Sequence, residues 1–205
     1  MERRDFFKLG LATGIGTIAL TKKAWSLEYY PMPSDKKCAV IYGTWCGSSR
    51  DAAVWISEGM GGIADVFDAR EKPDPTAFDH IVLGGSIRSG ATRQEMQDYI
   101  TRNKESLKTK VIGLFAVCGN GEKPVGPQQK TMYIDNHLMR LCQAGNVPSK
   151  VFNGRITKSL LDPGNRQRME AAYPGLAGKQ LEDYDLLKRM DCLAFGREIL
   201  AGMPS

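Results

Sequence analysis

The chain has 205 residues, 42% hydrophobic and 25% charged, enough for one α/β-sized domain with an extension and too ordered a composition for wholesale disorder. Its net charge of +5 is uneven, because five basic against two acidic residues in the first 26 leave only +2 for the rest; no basic stripe with interleaved aromatics points to nucleic acid. Five cysteines without a C-x-x-C pair, and only His80 and His137 beside them, exclude a zinc ribbon, a dense disulfide framework and a His-rich metal site.

The chain opens with Arg3, Arg4 and Lys8, then a short apolar, glycine-containing run over residues 9–20, then Lys22 and Lys23. A basic head before a short apolar run is the architecture of a signal peptide, and the run is too short for a membrane span of roughly 20 apolar residues. The Arg3-Arg4-x-Phe6-Phe7-Lys8 spacing resembles the twin-arginine export motif. That resemblance implies the twin-arginine translocation machinery as a partner, and a periplasmic location or one on the outer face of the cytoplasmic membrane. Ala24 and Ser26 are small residues of the kind a signal peptidase reads, so residues 1–26 are expected to be a signal, 27–36 a linker and 37–205 the domain. A buried or amphipathic N-terminal helix is the alternative.

From residue 37 strands and helices alternate. Residues 38–42 form a short apolar run suited to a strand covered on both faces. Residues 48–60 repeat apolar positions at helical spacing and stop at Gly61-Gly62. A second strand is expected at 63–67 and a third at 80–84, followed by a helix over 92–106 with Thr92 and Glu95 as a capping box. Residues 110–117 read as a fourth strand, 128–144 as a helix, 150–156 as a fifth strand and 180–201 as the last helix. Between these last two, 157–179 reads as a loop, broken by Pro163-Gly164 and Pro174-Gly175; Arg166, Arg168 and Tyr173 in it are candidates for an anionic-substrate pocket or a solvated surface. The alternation implies an α/β fold with a parallel sheet wound on both faces, whose ligand lies beyond the carboxyl ends of the strands. The loops after strands one, three and four are therefore the places to look.

The first of these runs Thr44, Trp45, Cys46, Gly47, Ser48, Ser49 from a strand straight into a helix. Hydroxyls, a glycine and a helix N-terminus suit a phosphate, and the absence of a G-x-x-x-x-G-K-[ST] spacing excludes a nucleotide-hydrolysing P-loop. Thr44, Gly47 and Ser49 resemble the T-x-T-G-x-T loop of flavodoxins, with Cys46 where that family has a further hydroxyl. Trp45-Cys46-Gly47 also resembles a thioredoxin-type redox loop, but Ser49 stands where the resolving cysteine would be.

After the third strand comes Gly84-Gly85-Ser86-Ile87-Arg88-Ser89-Gly90, and after the fourth Cys118, Gly119, Asn120 and Gly121. The former, with Phe78 and Asp79 before it, resembles the flavodoxin subgroup that includes menaquinone-dependent protoporphyrinogen oxidases, over roughly residues 37–156. That resemblance implies a flavodoxin-like three-layer sandwich, with strand order 2-1-3-4-5, that binds FMN through Thr44 to Ser49, Gly85 to Arg88 and Cys118 to Gly121. Arg88 is the candidate catalytic residue, a fixed positive charge near the ring's polar edge. Asn120-Gly121 can equally be a turn that touches nothing. Neither ring loop contains an aromatic residue, so one ring face is expected to be open. Two functions follow: an FMN oxidoreductase, quinone-linked or acting on another small-molecule substrate, or a non-enzymatic carrier serving a redox partner protein. A thioredoxin-like thiol protein is the minor third.

Overall fold

A computed structural model describes residues 29 and 31–204. The expected signal segment and its cleavage point lie outside the described residues. Residues 31–36 run along the base of the domain, where Met32 N donates to Gly62 O at 2.8 Å.

Five strands form one parallel sheet in the order 2-1-3-4-5. They are β1 (Cys38–Gly43), β2 (Ala64–Asp68), β3 (His80–Ser86), β4 (Val111–Cys118) and β5 (Ser149–Asn153). Their side chains alternate between two cores, as the pleat demands. Ala39, Ile41, Ile81, Leu83, Leu114 and Val151 face one layer, which holds α2 (Gln94–Arg102) and α3 (Lys104–Lys110). The same layer holds α4 (Pro127–Lys130), a π-helical segment Thr131–Leu138 and α5 (Met139–Cys142). Cys38, Val40, Tyr42, Val82, Phe115 and Phe152 face the other, against α1 (Ser48–Gly59) and α7 (Arg189–Ala201). Both faces are covered, which is why the strands read as continuous apolar runs. The three-layer sandwich expected from the sequence is the observed fold.

In the second layer α1 and α7 touch backbone to backbone. A methyl group on Gly196 would lie 2.8 Å from Gly59 Cα and clash with Ile56 O, so only glycine permits this approach.

Several expected elements change. The helix over 92–106 is two helices, because Asn103 turns its side-chain amide onto Tyr99 O at 2.9 Å and ends α2. The Thr92–Glu95 capping box is absent: Thr92 N donates to His137 Nε2 at 3.1 Å, while Glu95 pairs with Arg93 at 2.8 Å. The fifth strand stops at Asn153. Beyond Gly154 the chain forms β6 (Arg155–Ile156), which pairs antiparallel with β7 (Tyr184–Asp185). Between them lies α6 (Pro163–Ala177), where the sequence predicts a loop. Asp162 caps it by accepting from Asn165 N at 3.0 Å, and Pro163 occupies the first turn, where a missing N–H costs nothing. The final helix begins at Arg189, not 180, because 184–185 are taken by β7. Residues 155–185 therefore form an ordered insert that stands on the carboxyl edge of the sheet.

Candidate functional site

The β1 loop turns sharply into α1. Thr44 Oγ1 accepts from Gly47 N at 3.0 Å, and Gly47 takes a left-handed φ of 83° that a side chain would resist. Ser48 and Ser49 follow as the first residues of the helix and are buried. Ser49 Oγ and Ser86 Oγ lie 2.6 Å apart, so the loops after β1 and β3 are joined by a hydroxyl pair. Just beside it, a Cβ on Gly85 would come within 2.8 Å of Gly43 O, which explains the glycine there.

The β3 loop carries Arg88 on a tight turn, closed by hydrogen bonds between Arg88 and Ala91 and by left-handed Ser89 and Gly90. Its guanidinium stacks on the Trp45 ring at 4.6 Å from the centroid, with Arg93 at 5.6 Å from the same ring. Arg88 Nη1 is 3.6 Å from Asp162 Oδ2, is buried, and makes no hydrogen bond among the described residues. Burial pulls this guanidinium below its ordinary pKa, with Asp162 acting the other way. The group stays protonated and is electrostatically under-satisfied.

The β4 loop is a strained turn. Asn120, Gly121 and Glu122 all have positive φ, 45°, 59° and 63°. Asn120 spends its amide on the turn itself, donating to Pro124 O at 2.9 Å and accepting from Gln129 at 3.2 Å. Glu122 accepts from Tyr173 OH at 2.7 Å and Lys179 Nζ at 2.9 Å, and Lys179, then Tyr173, hold its carboxyl below the usual range. This is where the insert docks. Burial pushes the Cys118 thiol up to about 11.

The insert brings Leu161, Tyr173 and Leu181 against Cys46, with Trp45, Ile156 and Tyr184 at the margin of that small core. Tyr173 and Tyr184 stack at 6.3 Å, and Tyr184 OH fills the space that a side chain on Gly119 would need. The face expected to be open is therefore roofed, and its aromatic residues come from the insert and from Trp45. Tyr173 is buried in the docking contact. Arg166 pairs with Glu170, and Arg168 reaches back to Gly164 O; both are exposed, so no anion pocket forms around this trio.

Trp45, Cys46, Ser48, Ser86, Ile87, Arg88, Cys118 and Gly119 together line one cleft at the sheet edge. Thr44, Gly47, Ser49 and Gly85 lie behind it as supports, whereas Asn120 and Gly121 belong to the turn beneath the insert. Val117, Gly154, Arg155 and Ile156 also line the cleft and were not singled out by the sequence. Gly154 is the bend at which the chain leaves the sheet, a signal hidden inside an apparently continuous strand.

Residues 39–182 match the flavodoxin domain family. The chain belongs to that family. No curated protein matches the sequence. Among solved structures, oxidised flavodoxin 1 from Bacillus cereus is 16% identical, with 82% of this chain and 100% of that one covered at a TM-score of 0.50. A flavodoxin from the Archaea is 13% identical, covering 81% of this chain and 97% of that one at 0.46. The flavodiiron core from Synechocystis is 14% identical, covering 82% of this chain but only 36% of that one, at 0.48.

FMN is the cofactor of this flavodoxin domain. The donor set fits it: a glycine turn and helix N-terminus for a phosphate, and a cationic Arg88 with buried Ser86 for a polar ring edge. Space is the constraint. The cleft volume is about 40 Å³, against roughly 300–1,000 Å³ for small-molecule sites. Trp45, Arg88 and Ile156 are among the side chains that narrow it.

Cys118 is expected to resist iodoacetamide in the native protein at pH 8 and to react only as the pH approaches 11. Mass spectrometry of labelled peptides across a pH series reads this directly. Rapid labelling at neutral pH contradicts the burial described.

Proposed function

We propose that the protein is an FMN-dependent oxidoreductase that exchanges electrons with a small molecule, a quinone being the first choice. The observation that carries this reading is Arg88, held between Trp45 and Asp162 on the cleft wall with Nη1 buried and without a hydrogen bond among the described residues. A preorganised positive charge in a water-poor cleft stabilises negative charge that develops there, on ring or substrate. FMN, when bound, supplies the electron-accepting and electron-donating chemistry. Arg88 supplies the fixed charge, and the insert excludes water through Leu161, Leu181 and Tyr173. A carrier, by contrast, offers a flavin edge to a protein partner, and a roof over the cleft works against that.

The Gly85-Ser86-Ile87-Arg88 segment supports a link to the menaquinone-dependent protoporphyrinogen oxidase type, which makes a porphyrinogen a reductant to assay beside simpler ones. Stopped-flow reoxidation of reduced, FMN-loaded protein by a soluble quinone is expected to outpace that of free reduced FMN. Arg88→Gln is expected to slow it about 10- to 100-fold. A quinone rate no better than free flavin, with fast exchange to a protein acceptor, contradicts the enzyme reading in favour of the carrier.

The paired Arg3 and Arg4 before an apolar run support export of the folded, cofactor-loaded domain by the twin-arginine route to the outer face of the cytoplasmic membrane. Replacing both arginines with lysine is expected to leave the protein inside cells that otherwise export it, as cell fractionation reads. Export that is indifferent to this change rules the route out.

A further inference from the structure

We infer that Arg155, a residue of the insert, is the charged donor that binds the flavin's phosphate and lets the site distinguish FMN from riboflavin; this rests on the FMN reading above.

The side-chain hydroxyls of the β1 loop, on Thr44, Ser48 and Ser49, are neutral donors, and a cysteine stands at position 46. A phosphate monoester carries up to two negative charges, which neutral donors leave uncompensated. Arg155 stands at the right place to supply a charged donor. Its Nε and Nη2 donate to Asp185 Oδ2 at 2.8 and 2.7 Å, and Nη2 also lies 2.8 Å from Asp51 Oδ2. Those contacts occupy two of the three guanidinium nitrogens. The third, Nη1, makes no hydrogen bond among the described residues and lies 3.5 Å from where a Cβ on Gly47 would sit. It therefore faces the apex of the phosphate loop, at the start of the twelve-residue helix α1.

The two carboxylates orient the guanidinium. Arg50, paired with Asp51, brings this cluster of two cations and two anions to neutrality, so what Arg155 offers a phosphate is its third nitrogen as a charged donor. Asp51 belongs to the first turn of α1 and Asp185 to β7, so the guanidinium is clamped between the phosphate loop and the insert. A planar group fixed at two nitrogens presents the third without further loss of side-chain freedom. Arg50 Nη2, 3.9 Å from the same Gly47 point, pairs with the other oxygen of Asp51. The arrangement couples cofactor to insert: a phosphate drawn to Nη1 also favours the placement of β6 and β7 against α1.

The test is a pair of fluorescence-quenching titrations of the full chain, one with FMN and one with riboflavin, which lacks the phosphate. Wild type is expected to prefer FMN. Arg155→Gln is expected to weaken FMN about 10- to 100-fold, the range of a hydrogen bond to a charged group, and to weaken riboflavin, which shares the cleft but lacks the phosphate, by much less. Arg155→Lys, which keeps a cation for Asp51 and Asp185 but loses the planar third donor, is expected to fall in between. Riboflavin binding reports folding in each variant. Equal weakening of both ligands, or FMN affinity unchanged in Arg155→Gln, overturns the assignment of Arg155 while leaving the FMN reading intact. Wild type that binds neither ligand overturns the FMN reading itself.

Discussion

Five strands that all run in the same direction must end along one edge, and that constraint creates the cleft. The registers Tyr42 with Gly84, Gly84 with Phe115 and Cys118 with Asn153 bring the loops after β1, β3 and β4 and the exit of β5 into contact. Glycine at positions 43, 84, 85 and 154 lets these ends approach closely; at Gly84 any side chain would collide with Phe115. Local sequence thus serves a long-range purpose: apolar alternation fixes the layers, the layers fix strand order, and strand order gathers Ser48, Ser86, Arg88 and Cys118 from distant stretches of chain.

The insert then decides what the cleft can do. Three polar links tie it down: Asp162 to Arg88, Glu122 to Tyr173 and Lys179, and Arg155 between Asp51 and Asp185. The ion pairs are screened by solvent and contribute little, since Asp162 and Asp185 are more than two-fifths exposed. Burial of Leu161, Tyr173 and Leu181 contributes roughly 1.5–3 kcal/mol per side chain, so apolar contact outweighs the ion pairs. The charges choose the register of the roof and the apolar core supplies its grip. Arg155 touches both the start of α1 and the insert, and so ties the two together.

Much of this was legible in the sequence. Continuous apolar strands at 38–42, 80–84 and 110–117 gave the sheet, and the Thr44 to Ser49 and Gly85 to Arg88 loops gave half of the cleft wall. What was hidden shares one physical cause, tertiary reuse of residues that look like punctuation. Pro163-Gly164 reads as a break but is the first turn of α6, capped by Asp162. Gly154 reads as part of a strand but is the corner from which Arg155 leaves the sheet. Thr92 and Glu95 satisfy a capping pattern on paper, yet His137 and Arg93 offer them better partners. Asn120-Gly121 carried a true turn signal, and the turn serves the insert more than the cleft.

The central claim is that this edge holds a phosphorylated flavin. Heat release and chromatography of the cofactor from the purified protein, after incubation with equal FMN, FAD and riboflavin and removal of excess, tests it most directly. The account predicts about one FMN per chain and little of the other two. A protein that stays colourless, or that retains FAD in preference, contradicts it.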